Sequence, residues 1–215
     1  MHQAPTRPVA VQNGAEADRT RKQISETTQN FVLRKSYEFV QRLGEAQTET
    51  KQTYGVEKDE SSTQKPPARI LGIPARSEGA QIALDMLYSL LEPSMYQVQR
   101  LSTAALASEV VTVVEQTQPD LIVITALPHG DLAHARYLCK RLQARFPQGR
   151  IFVVCPGLAK ESKWDRQIII HRLIENGAHL VATSTAEART QIPQQLFPVL
   201  VQSSETKITP VCAKQ

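Results

Sequence analysis

Long apolar runs are missing from this 215-residue chain, whose wholly apolar stretches are as short as Leu121–Ile124. A helix that crosses a bilayer needs about 20 such residues, so no membrane span is expected. Residues 1–20 hold no apolar segment of the kind found in secretory signals, so no export is expected either. Cysteine is scarce. Cys139, Cys155 and Cys212 are odd in number and widely spaced, which speaks against a disulfide framework and a zinc site. The expected compartment is the reducing cytoplasm. Aromatic residues are only 5% of the chain, with one tryptophan. Neither sign of charge dominates: 25 Lys and Arg against 21 Asp and Glu leave +4, too mild for a protein that wraps nucleic acid. What is present, 41% hydrophobic and 21% charged residues, is a globular composition and excludes full disorder. The length suits one domain with attachments.

Three zones divide the chain. Residues 1–68 carry ten Lys and Arg against nine Asp and Glu, with few apolar groups. Within them Ile24, Thr28, Phe31, Val32, Phe39, Val40 and Leu43 recur at spacings of three and four, and Gly44 follows in a C-capping place. The spacing predicts an amphipathic helix over 16–44, after a disordered 1–15. Residues 45–68 lack a period and contain Lys65-Pro66-Pro67, so they read as a linker. Residues 197–215 read as a polar tail.

Residues 69–196 alternate two patterns. Apolar, β-branched runs at 69–74, 95–101, 121–126, 150–155 and 179–183 predict strands. Helical periods at 79–91, 104–116, 132–146, 162–176 and 185–194 lie between them. Punctuation agrees: Pro119, Pro147-Gln148-Gly149 and Asn176-Gly177 follow helix ends, and Thr103 stands ready to cap the second helix. Strands joined through helices must run parallel. The fully apolar runs at 121–124 and 151–154 suit central strands covered on both faces. The expected fold class is α/β: a three-layer, doubly wound, flavodoxin-like sheet of five parallel strands, order 2-1-3-4-5, preceded by the N-terminal helix. Its ligand crevice would lie at the carboxyl ends of strands one and three.

The loops at those ends hold the candidate ligand-binding residues Arg76, Ser77, Thr125, Leu127, His129, Gly130, Pro156 and Gly157. Arg76, beside a helix start, suits phosphate or carboxylate, although the loop lacks the extra glycines of a phosphate cradle. His129 and His134 flank the start of the third helix without a paired nucleophile, and Asp131 reads as that helix's cap. Cys155, followed by proline, reads as a small buried hydrophobe. Trp164, Ile168, Ile169 and Leu173 read as the core side of the fourth helix, and His171 and His179 as structural. No catalytic residue and no metal ligand is assigned, and the chain is expected not to be an enzyme. A phosphoryl-accepting receiver is set aside, because it needs acids where Thr125 and Ala75-Arg76 stand.

From Leu132 to Lys160 no acidic residue occurs. Arg136, Lys140, Arg141 and Arg145 give the third helix a basic outer face, a candidate interaction surface for phospholipid headgroups or an acidic partner. Nucleic acid is the weaker fit, since no aromatic interleaves the cations.

Residues 69–183 resemble the cobalamin-binding domain family. Thr125-Ala126-Leu127 stands in that family's Ser-x-Leu place, and Pro156-Gly157 in its Gly-Gly place. Its Asp-x-His-x-x-Gly loop has no counterpart, because no histidine lies between His2 and His129. The resemblance thus implies the fold and a small-molecule crevice. The cofactor stays open: cobalamin would have to bind without the family's axial histidine. The string Pro119-Asp120-Leu121, Thr125-Ala126-Leu127-Pro128, 134–142 and 144–147 is similar to the soluble C-terminal domain fused to autoinducer-2 exporter-like bacterial permeases. Ile73-Pro74-Ala75-Arg76 and 39–45 extend the likeness over about 16–183. That resemblance implies a regulatory or ligand-sensing module, partnered by a membrane permease or a second copy, at the inner face of the cell membrane. The alternative is a corrinoid binder without a protein histidine ligand.

Overall fold

The computed structural model describes residues 31, 34–36, 38, 66–128 and 130–197. Phe31, Arg34, Lys35, Ser36 and Glu38 are helical, with Arg34 and Lys35 paired to Glu38. The rest of the predicted N-terminal helix, residues 1–15, the linker 45–65 and the tail from 198 lie outside the described residues.

Five β/α units follow one another: β1 (Ala68–Pro74), α1 (Glu78–Ser89), β2 (Tyr96–Arg100), α2 (Ala107–Thr117), β3 (Leu121–Thr125), α3 (Leu132–Arg145), β4 (Ile151–Val154), α4 (Lys163–Glu175), β5 (Leu180–Ala182) and α5 (Thr185–Leu196). A single 3₁₀ turn, Leu158–Lys160, precedes α4. The sheet order is β2-β1-β3-β4-β5 and every neighbouring pair is parallel, which is the flavodoxin-like arrangement the alternating pattern predicts. Pro74 pairs with Thr125 and Thr125 with Val154, so β1, β3 and β4 end level and their loops leave from one edge.

Side-chain alternation builds two cores. Leu71, Ile73, Ile122, Ile124 and Val153 face α2, α3 and α4 through Val110, Val114, Leu138, Leu142 and Leu173. Ile70, Leu121, Val123, Phe152 and Val154 face α1 and α5 through Leu84, Leu87, Ala188 and Ile192. Every residue of β3 and β4 is buried, whereas only Tyr96 of the edge strand β2 is. Gly72 lets α1 cross β1 closely: a Cβ there would meet the Tyr88 ring at 2.7 Å and Leu84 Cδ1 at 2.8 Å. Tyr88 Oη donates to the Gln99 carbonyl across that gap.

Three local readings need correction. Trp164 is not on the core side of α4. It is 73% exposed, while Leu173 and Ile169 face the sheet. The helix carries apolar residues all round, so periodicity did not single out its inner face. α2 begins at Ala107, past Thr103, and its first turn is closed by the Glu109 carboxylate accepting from Leu106 N–H. Asp131 precedes α3 but makes no capping bond; its carboxylate is drawn to another loop.

Candidate functional site

α1 leaves β1 toward one face of the sheet and α3 leaves β3 toward the other, so their loops part above the level ends of the two strands. Ser77 begins α1, its Oγ accepting from Ala80 N–H at 3.0 Å. The same hydroxyl donates to Asp131 Oδ2 at 2.6 Å, and Ser77 N–H reaches Oδ1 at 3.2 Å. Leu127 N–H donates to Oδ2 at 3.0 Å. Asp131 is 2% exposed. One buried carboxylate therefore ties the β1–α1 loop to the β3–α3 loop, with three donors around it. Beneath it Thr125 Oγ1 donates to the Ala80 carbonyl at 2.9 Å, and Leu127 is enclosed with Ile82, Ala83 and Met86. The floor of the crevice is thus sealed by its own contacts. Ser77, Thr125 and Leu127, three of the candidate ligand residues, come together there with their polar groups engaged.

The rim is different. Arg76 is exposed, and its guanidinium makes no hydrogen bond or ion pair with any described residue. It acts electrostatically on His134 in the first turn of α3. Partial burial holds the His134 imidazole below its ordinary pKa, and the Arg76 charge adds to that; Asp131 works the other way. Gly130 sits at φ +107° with open space on its Cβ side. Pro156 is buried and Gly157, at φ +93°, turns the chain into the 3₁₀ segment. His129 lies outside the described residues. At the head of α5, Thr185 is 1% exposed and its Oγ1 has no hydrogen-bond partner among the described residues.

Cys155 is fully buried, as is Cys139, and burial pushes both thiols up to about 12. Burial thus disfavours the thiolate of both. His179 Nδ1 accepts from Ile151 N–H at 3.1 Å, and His171 pairs with Glu175 on the surface of α4. On α3 the four candidate cations part company. Arg145 pairs with Glu115 of α2 at 2.7 Å, Arg141 donates to Tyr137 Oη, Arg136 donates to the Leu132 carbonyl, and Lys140 is exposed. Two cavities, of about 490 and 760 Å³, open at the amino ends of the strands around Arg69 and Pro119, away from the candidate crevice.

The polar roles of Asp131 and His134 are not readable from spacing. Asp131 and Ser77 are 54 positions apart, and only the parallel pairing of β1 with β3 brings them together.

No group of three His, Cys, Asp or Glu able to hold a metal occurs among the described residues. In the loop after β1 no histidine stands ready as an axial ligand. Arg76 stands three residues before Gly79, where the resembled loop has its histidine. The Thr125 hydroxyl, in the Ser-x-Leu place, is spent on a backbone carbonyl under α1. No described helix is long and apolar enough to cross a membrane.

No protein-family model matches the chain, and no curated protein does. Among solved structures, a cobalamin-binding protein from Desulfitobacterium hafniense DCB-2 aligns over 87% of this chain and 80% of its own, at 13% identity and a TM-score of 0.48. A likeness that slight has no bearing on function.

Proposed function

We propose that the chain is a non-enzymatic ligand-sensing module that takes a small phosphate- or carboxylate-bearing molecule at the carboxyl edge of its sheet. The observation that carries this reading is the exposed Arg76 guanidinium, without a hydrogen bond or ion pair to any described residue, in a loop that Asp131 ties down. A tied-down loop that carries a cation with no ion pair among the described residues suits an anion: Arg76 supplies the charge, and the backbone at Gly130 leaves room for approach. Asp131 is committed to three donors and both described cysteines are buried thiols, which supports binding over catalysis. The partner in this reading is a membrane permease at the cytoplasmic face of the membrane, supported by the sequence resemblance of residues 16–183 alone.

Thermal denaturation across inorganic phosphate, pyrophosphate, nucleoside phosphates, di- and tricarboxylates and hydroxocobalamin tests the proposal. A bound anion at a hundred times its Kd stabilises by about 2.7 kcal/mol. Stabilisation by an anion that disappears in Arg76→Gln is expected. Stabilisation that survives Arg76→Gln, or none across the panel, overturns the reading. A coloured complex with hydroxocobalamin after gel filtration would favour the corrinoid alternative.

A further inference from the structure

The layer of α2, α3 and α4 turns an unusual surface outward. Trp164 is 73% exposed, Tyr137 49% and Ile174 48%. Trp164 and Leu173 are nine positions apart, two and a half helical turns, so the tryptophan stands diametrically opposite the one fully buried residue of α4. Cations outnumber acids over α3, α4 and the segment that joins them, although α2 beside them carries Glu109 and Glu115 and no cation. Residues 132–175 hold nine Lys and Arg against three Asp and Glu, a net +6, whereas the whole chain is +4 and the remainder is therefore net −2. Of those three acids, Asp165 accepts from Ser162 and Glu175 faces His171. Glu115 of α2 neutralises Arg145. Lys140, Lys160 and Lys163 are exposed cations.

We infer that the α3–α4 face is a docking surface for an anionic phospholipid bilayer. Trp164 is amphipathic and sits at the depth of the headgroups at the head of α4, near Lys163 in the chain, while Ile174, about 15 Å along the same helix, and Tyr137 of α3 add further apolar exposure and the lysines meet lipid phosphates. Charge complementarity selects the anionic surface. The aliphatic Ile174 and the unstacked, outward Trp164 favour lipid over nucleic acid, which would want several stacking platforms in a row. The inference is independent of the ligand reading at the carboxyl edge.

Trp164 is the only tryptophan, so its emission reports this face alone. The full chain is titrated with phosphatidylcholine vesicles, and with vesicles of equal parts phosphatidylcholine and phosphatidylglycerol. The expected result is a blue shift with the mixed vesicles, none with phosphatidylcholine alone, and reversal by salt. Lys160→Gln with Lys163→Gln is expected to weaken binding about 25-fold, roughly fivefold for each cation lost. In a flotation assay Trp164→Ala, whose exposed side chain the fold does not need, weakens it about tenfold. No shift with mixed vesicles overturns the inference. So does an equal shift with a single-stranded oligonucleotide, a concentration-dependent shift without lipid that marks self-association, or full flotation of Trp164→Ala.

Discussion

Replacing Asp131 by alanine removes the acceptor for Ser77 N–H, Ser77 Oγ–H and Leu127 N–H at once. Hydrogen bonds to a charged acceptor each contribute roughly 1.5–3 kcal/mol, and the 3.2 Å bond from Ser77 N–H belongs at the weak end. Leu127 is fully buried, so its N–H has no water to turn to. The expected loss is about 3–5 kcal/mol, which for a domain of this size lowers Tm by roughly 10–20 °C. Ser77→Ala removes one of the three donors and the α1 cap together, and is expected to cost about 1–2 kcal/mol. Because the two residues share a bond, the double mutant should be less damaged than the two losses added, with a coupling of about 1–2 kcal/mol. Urea unfolding followed by far-ultraviolet circular dichroism measures all four species. The signal of Trp164 is unsuitable, since that ring is already in water. A loss below about 1 kcal/mol for Asp131→Ala, or additivity within about 0.5 kcal/mol, would refute the clamp.

Other expectations follow from the same geometry. Gly72→Ala drives a methyl into Tyr88 and Leu84 and should cost about 1–3 kcal/mol, with the Tyr88–Gln99 bond lost; a neutral substitution would mean α1 does not press on β1 there. Cys139 and Cys155, with thiols pushed up to about 12 by burial, should escape iodoacetamide in the native protein and react on unfolding, as peptide mapping by mass spectrometry would show. The His134 imidazole is held below its ordinary pKa, so the unfolded chain binds its proton more readily. That contribution is present above about pH 6.5 and is lost as the pH falls through the lowered value. Arg76→Gln should raise the His134 pKa in a histidine-resolved NMR titration, and an unchanged value would separate the two side chains.

The sheet was legible because its central strands are apolar on both faces, and only a helix-covered parallel layer asks for runs such as Leu121–Ile124 and Ile151–Val154. Turn chemistry marked helix ends for the same local reason: Gly177 does take a positive φ after α4. The orientation of α4 was not legible, because Ile168, Ile169, Ile170 and Trp164 surround the axis and no stripe stands out. At the site, the carboxyl-edge residues were identifiable from topology. What each does was hidden, because the bonds that decide it span long sequence separations, 54 positions from Ser77 to Asp131 and 45 from Ala80 to Thr125. The same is true of the basic helix, where Arg145 answers to Glu115 on another element.

The most direct trial of the ligand-sensing account is amide chemical-shift mapping of the full chain with pyrophosphate, against a pH-matched sulfate control. The account predicts saturable shifts confined to the rim: 76–79, Gly130 with the first turn of α3, and Gly157. Shifts gathered around Arg69 and Pro119 at the opposite end of the strands, or none that saturate, would contradict it.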